Sequence, residues 1–266
     1  MKQVESEKFN YVYKKNPAHT VNLITKITQL DKTRVKQILE STKFDKDCLN
    51  NLRNIKPKKH KKNGANKFKY RWDRIRKEIE GKVIARYLDF GGGDCQSTEY
   101  IGKMLGLSKL NCVCADVREW MEDTNLKRTE MSYTFSDVTD QTIDYVDNHF
   151  DLITVYHVLH HIPTYKQSYD ELLRVLKPNG ILILREHDYT NKKVHRYLID
   201  IEHMIWSIVM NGNSYDQYVA EYYGKYRSEE QWKQLFCKDF DLISTTPPRG
   251  VTRSFYHTYV KKMKNN

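Results

Sequence analysis

Long hydrophobic runs are missing from these 266 residues. None approaches the roughly 18 consecutive apolar residues needed to span a bilayer, so a membrane-embedded protein is excluded and no membrane partner is expected. The opening segment, MKQVESEKFN, mixes both charge signs and has no apolar stretch, which argues against a secretory leader. Cysteine is sparse and unpaired in number: Cys48, Cys95, Cys112, Cys114 and Cys237 are scattered along a chain too large to need covalent staples. Reduced thiols are the expectation, in a cytoplasmic setting, with the nucleus or a host cytoplasm as variants. No second Cys or His pair stands at zinc-finger spacing, so no metal is expected. There is no internal repeat. A hydrophobic content of 39% beside 30% charged residues is ordinary for a soluble chain.

Positive charge is present in excess, and it is concentrated. Residues 1–80 hold 22 of the 45 Lys and Arg but only 9 of the 34 Asp and Glu, whereas the rest of the chain has 23 against 25. The whole net charge of +11 therefore lives in the N-terminal third. Its centre is KPKKHKKNGANKFKYRWDRIRK, Lys56 to Lys77, a basic run that passes into a helix-like segment. Lys58, Lys59, Lys61, Lys62, Lys69 and Arg71 are candidates for phosphate contact, with Phe68, Tyr70 and Trp72 available for base stacking. Arg249 and Arg253, in a turn near the C-terminus, could add to that surface. Upstream, three apolar stripes at helical spacing (Val21, Leu23, Ile24 and Ile27; Val35, Ile38 and Leu39; Leu49, Leu52 and Ile55) predict a small helical region. The chain thus reads as a basic helical extension over 1–70 that binds RNA, followed by a larger domain over 71–266. A solvated address or a docking segment for a protein partner is the alternative reading of the basic block.

From Val83 short apolar runs alternate with helix-like stretches. Strands are expected at Val83–Asp89, Asn111–Ala115, Met131–Phe135, Phe150–Tyr156, Ile181–Leu184, Leu242–Thr245 and Phe255–Val260. Cys112 and Cys114 would face one side of the second. The segment Ser168–Gly180 reads as a helix with Leu172, Leu173 and Leu176 on one face, stopped by Pro178 and Gly180. Such alternation predicts an α/β fold, a Rossmann-like seven-stranded, mostly parallel sheet covered by helices on both faces. Ligands of these sheets bind beyond the carboxyl ends of the strands, near the point where strand order reverses.

The strand ends carry the informative residues. Asp89, Phe90, Gly91, Gly92, Gly93 and Asp94 close the first; glycines there let the backbone turn sharply and let a ligand approach. Asp116 and Val117 close the second, some 25 residues beyond the glycines, where a carboxylate can accept from two ribose hydroxyls. Asp137 and Val138 close the third, where an acid can take an adenine amino hydrogen. The dinucleotide pattern fails, because Gln96 and Thr98 stand where its third glycine would be. The order Asp89-Phe90-Gly91-Gly92-Gly93 instead resembles the first motif of class I S-adenosylmethionine-dependent methyltransferases. FDLITVYHVLHHIP and ELLRVLKPNGILILRE resemble the fourth strand, the following helix and the fifth strand of its ubiquinone-biosynthesis-like branch. The likeness spans about Arg71 to Lys262, with Cys95 in place of the third glycine.

The resemblance implies S-adenosyl-L-methionine as cofactor, with Asp89, Gly91, Gly93 and Asp94 at its amino acid end, Asp116 and Val117 at the ribose, and Asp137 and Val138 at the adenine. Tyr156 and His157 would border the methyl group. His157, Glu186 and His187 are the candidates to orient or deprotonate an acceptor, while His160 and His161 read as structural. The insertion over 189–240, with its helix VHRYLIDIEHMIWSIVM and Tyr215, Tyr218, Tyr222 and Tyr226, would roof the acceptor pocket or simply pack. Joined to the basic extension, these features predict an RNA methyltransferase, with an mRNA 5′ cap and a viral source in view. A small-molecule methyltransferase and a non-catalytic RNA-binding or stimulatory subunit remain the alternatives.

Overall fold

The computed structural model describes residues 3–41, 44–55, 61–117 and 133–263, the side chains of 3–6 and 61–67 excepted. In chain order the helices are α1 (Gln3–Lys15), α2 (Pro17–Thr28), α3 (Lys32–Ser41), α4 (Lys46–Ile55), α5 (Lys61–Glu78), α6 (Gln96–Met104), α7 (Tyr165–Val175), α8 (Lys193–Met204), α9 (Tyr215–Glu221) and α10 (Glu229–Phe236). The strands are β1 (Tyr87–Phe90), β2 (Cys112–Asp116), β3 (Thr134–Asp137), β4 (Phe150–Tyr156), β5 (Leu176–His187), β6 (Phe240–Arg249) and β7 (Ser254–Lys261). They belong to two compact units, one drawn from 1–60, 187–228 and 249–254, the other from 61–186, 229–248 and 255–266.

The second unit holds the sheet, in the order β3-β2-β1-β4-β5-β7-β6. β1 lies parallel to both β2 and β4, β2 to β3, and β4 to β5. Four residues join β6 to β7, a connection that only antiparallel neighbours can use. Both faces are buried, as parallel strands require. Leu88, Phe90, Val113, Ile153, Val155, Leu182 and Leu184 pack with Leu172 and Val175 of α7 and Trp232 and Phe236 of α10. Tyr87, Cys112, Cys114, Leu152, Tyr156, Ile181 and Ile183 pack on the opposite face with Ile75 of α5 and Ile101 of α6. The expected Rossmann-like sheet is therefore what the chain forms, and strand order reverses at β1.

Several boundaries move. Only Tyr87–Phe90 of the expected first strand is paired, because the Asp151 carboxylate takes the Ala85 and Arg86 N–H groups before a ladder begins. The third strand runs Thr134–Asp137, and Met131 lies outside the described residues. α7 stops at Val175, ahead of the expected stop at Pro178, because Leu176 already pairs with Phe150. The expectation of reduced thiols also fails for one pair. Cys95 and Cys114 form a disulfide, their Cα atoms 5.9 Å apart. Cys48, Cys112 and Cys237 form no disulfide among the described residues, and burial pushes the Cys112 thiol up to about 12. No helix among the described residues is long and apolar enough to cross a membrane.

The first unit is helical and has its own core. Val21, Ile24 and Ile27 of α2, Val35 and Ile38 of α3 and Leu49 and Leu52 of α4 are buried together with Leu198, Ile201 and Met204 of α8. A π-helical turn, Ile205–Met210, adds Ile205, Ile208 and Val209. Phe9 stacks on Phe44, and Lys8 of α1 reaches Asp200 of α8 at 3.3 Å. Tyr215 and Tyr218 of α9 join the same core, Tyr222 packs against it, and Tyr226 is buried beyond the helix end. Residues 1–55 and the insertion after β5 thus complete one another. Deleting residues 1–55 should strand the apolar face of α8, each Leu- or Ile-sized side chain forfeiting about 1.5–3 kcal/mol of burial. The expected result is a fall in Tm with strong binding of a hydrophobic dye; a deletion variant as stable as the full chain would show that the two segments fold separately.

Candidate active site

The glycine bend follows β1, and its three glycines answer to three different constraints. A Cβ on Gly91 would lie 2.2 Å from Cγ2 of Val158, and its φ of +72° suits only glycine. At Gly92 a Cβ would meet Cys114 Sγ at 2.5 Å and Thr98 Oγ1 at 3.0 Å, so this glycine admits the disulfide. Gly93, with φ +60°, has nothing within 4 Å of where a Cβ would stand. Its backbone N–H donates to Oδ2 of Asp116 at 2.8 Å, while Val117 N–H donates to Oδ1. The Asp116 carboxylate is thereby fixed beside the open glycine.

Asp89 is buried at the end of β1, 2% exposed. Its oxygens accept from Thr98 Oγ1 at 2.8 Å and Thr154 Oγ1 at 2.7 Å, and the Tyr87 hydroxyl meets Thr154 Oγ1 at 2.8 Å. Burial raises this carboxyl above its usual range, opposed first by the Arg71 guanidinium and then by the two threonine bonds. Asp94 is exposed and accepts from Gln96 N–H at 3.3 Å. At the end of β3, the Thr139 hydroxyl and N–H hold Asp137 below the usual carboxylate range. Val138 is buried beside it, and Val117 is exposed.

Beyond β4, Tyr156 is 7% exposed, its hydroxyl meets no partner among the described residues, and burial holds its pKa well above 10. The Arg71 guanidinium lies 4.9 Å from the Tyr156 ring centroid. His157 takes a φ of +60°, a conformation that aims a non-glycine residue out of the strand direction, and its N–H donates to the Arg185 carbonyl. Glu186 corrects the expectation of a free base. It is fully buried, Oε1 accepts from Val158 and Leu159 N–H, and Oε2 faces His160 Nδ1 at 2.5 Å. Because a carboxylate only accepts, Nδ1 carries the hydrogen, and the pair braces the turn after β4. His187 is buried within the helical unit, its Nδ1 donating to the Thr252 carbonyl at 3.1 Å.

The basic residues are placed unevenly. Lys58 and Lys59 lie outside the described residues, and of Lys61 and Lys62 only the backbone, in α5, is described. Lys69 pairs with Asp73 at 2.7 Å, Arg249 is exposed, and Arg253 binds Oδ2 of Asp188 through Nε at 3.0 Å and a second guanidinium nitrogen at 2.6 Å. Arg71 is turned inward onto Tyr156. Thr98, Thr154 and Arg185 are absent from the sequence expectations. Thr154 and Arg185 were discoverable from strand alternation, which puts Thr154, Tyr156 and Arg185 on the face of Asp89.

An adenosine-bearing sulfonium fits this edge. The open side of Gly93, the anchored Asp116, the spare Tyr156 hydroxyl and the uncompensated Arg71 Nε offer, in turn, room, a diol acceptor, a donor and a carboxylate partner. The methyltransferase-domain family Methyltransf_11 matches residues 88–184. The chain carries a methyltransferase domain of the class I S-adenosylmethionine-dependent kind. The ubiquinone/menaquinone biosynthesis C-methyltransferase UbiE of Pseudomonas aeruginosa is 25% identical over 185 residues, 65% of this chain and 72% of its own. In fold, this methyltransferase resembles 1,6-didemethyltoxoflavin-N1-methyltransferase of Burkholderia thailandensis, solved with S-adenosylhomocysteine bound (TM-score 0.51, 16% identity, 73% of this chain and 77% of the other). It also resembles the CurJ carbon methyltransferase (TM-score 0.54, 14% identity, 97% and 71%).

Two outcomes are expected of this methyltransferase. Asp89 has a folded pKa raised above its ordinary 3.8, so its contribution to stability is full below that value and is lost as pH rises through the raised one. Asp89→Asn lacks that loss: its Tm should gain on the native protein as pH rises above about 4 while S-adenosylhomocysteine binding weakens, and a pH-independent Tm difference would contradict it. The disulfide closes a loop across 19 positions, worth about 3 kcal/mol of unfolded-chain entropy. A thiol-free reductant should lower the Tm of the native chain and leave a Cys95→Ser, Cys114→Ser double variant unmoved.

Proposed function

We propose that this methyltransferase acts on a small-molecule acceptor. What supports the reading is the aromatic and polar lining at the carboxyl ends of β4 and β5, where Arg71 lies on Tyr156 and Arg185 on Tyr256. UbiE, named for quinone C-methylation, points the same way.

When bound, S-adenosylmethionine supplies a methyl group on a sulfonium, a leaving group good enough for direct displacement. Asp89, Gly91, Gly93, Asp94 and Arg71 hold the amino acid end, Asp116 with Val117 the ribose, and Asp137 with Val138 the adenine. Tyr156 and His157 would border the transferred group. Aligning acceptor and donor at about 3 Å can supply roughly 7–11 kcal/mol, so the reaction asks little of a base. Where the acceptor must lose a proton, His157 is the half-buried candidate beside the methyl group, worth about 100- to 10,000-fold. His160 and Glu186 keep the turn that carries His157 in place.

A second reading, an RNA acceptor, is favoured by one observation, the 22 Lys and Arg gathered in residues 1–80. Labelled cofactor incubated with hydroxybenzoates, quinols, capped RNA, uncapped RNA and tRNA separates the two. Label should move to a small phenolic or quinol acceptor, and alanines at Lys58, Lys59, Lys61 and Lys62 should leave its kcat/KM within about twofold, as surface changes remote from the transition state do. Label in RNA that this quadruple variant abolishes would replace the small-molecule reading.

A further inference from the structure

On the face of the sheet that carries Asp89 and Tyr156, arginines and tyrosines interleave. Tyr156 and Arg185 are register partners across β4 and β5, so they stand on neighbouring strands about 4.8 Å apart. The Tyr156 and Tyr256 rings meet edge to face at 5.8 Å. Arg185 lies over the Tyr256 ring at 5.3 Å, Arg74 over the same ring at 5.4 Å, and Arg71 over Tyr156 at 4.9 Å. Three guanidinium groups thus share two rings.

Their charges are unequally matched. Arg74 pairs with Glu78 at 3.4 Å and donates to Ser244 Oγ. Arg71 is the cation that most opposes the raised pKa of Asp89. Arg185 has no carboxylate partner among the described residues, and its Nε is buried without a hydrogen bond. Contact with a ring is worth about 0.5–2 kcal/mol, less than the several kcal/mol that desolvating an unpaired cation costs. A half-buried arginine in that position is completed by an anion, to which its planar fork can donate two parallel hydrogen bonds.

We infer that Arg185, seated on Tyr256 beside Tyr156, is the receptor for an oxyanion on the acceptor, which is therefore a small molecule bearing a carboxylate or a phosphate. The inference rests on the methyltransferase reading and narrows its substrate class. Arg185 sits one strand beyond the residue that borders the methyl group, on the side away from Asp116 and the ribose. In this role Arg185 fixes the acceptor and takes no proton.

The test uses the full chain saturated with S-adenosylhomocysteine, so that the cofactor's own carboxylate is already in place. Benzoate and inorganic phosphate are titrated in turn by calorimetry against the native protein, Arg185→Gln and Arg185→Lys. The native protein should bind at least one probe. Arg185→Gln should bind it about tenfold or more weakly, the loss of a charge-assisted pair, and Arg185→Lys should recover part of the difference. Affinity for S-adenosylhomocysteine and Tm should stay close to native in both variants, which separates lost recognition from lost folding. If the native protein binds neither probe, or Arg185→Gln binds as well as native, the inference is overturned. It is overturned equally if Arg185→Gln loses S-adenosylhomocysteine affinity but keeps that for 5′-methylthioadenosine, since the guanidinium then serves the cofactor. A short RNA weakened by Arg185→Gln while benzoate and phosphate are unaffected would transfer the site to a phosphodiester. Failure of the native chain to bind S-adenosylhomocysteine at all would instead remove the methyltransferase reading beneath it.

Discussion

A carboxylate buried at the end of the first strand organises the active edge. Asp89 accepts from a threonine of α6 and a threonine of β4, and feels Arg71 of α5, so one side chain gathers three elements around the glycine bend. Burying such a group is costly unless its lone pairs are satisfied. The two threonines and the nearby guanidinium meet that requirement, which is why the bend has a defined shape before any ligand arrives. Gly93 and Asp116 then inherit their positions from it, through the 2.8 Å bond that joins them.

Much of this was legible in the chain because it is local. Strand–helix alternation gave the sheet, and the acids at three strand ends needed only the rule that ligands gather where parallel strands finish. Phe150–Tyr156 emerged with its bounds intact. What escaped depends on pairing between distant segments. The Cys95–Cys114 bond requires knowing that β2 runs beneath the bend; Glu186 looks like a base until the turn after β4 is seen to take both its oxygens. The shared core of α1–α4 and α8 is likewise invisible to periodicity, since two amphipathic segments 150 residues apart each look like separate surface helices.

The arginines show how composition can mislead about use. A basic stretch reads as a surface for phosphates, yet within it Arg71 points into the sheet face and stacks on a tyrosine, while Arg76 stays largely exposed. Net charge counts residues without regard to where their side chains go. Arg253, which also looked available, has two short bonds to Asp188. Charge therefore divides here between guanidinium groups held against a ring or a carboxylate, as at Arg71 and Arg253, and exposed ones such as Arg76 and Arg249.

Gly92 carries a final implication. It is bare because a sulfur occupies the space its Cβ would need, at 2.5 Å. The two positions are consequently yoked in evolution: a lineage that trades Cys114 for a smaller residue releases position 92 to take a side chain, whereas one that keeps the sulfur must keep the glycine. Covariation of these two sites among descendants of this chain would record the bond's history even in species whose protein has never been purified.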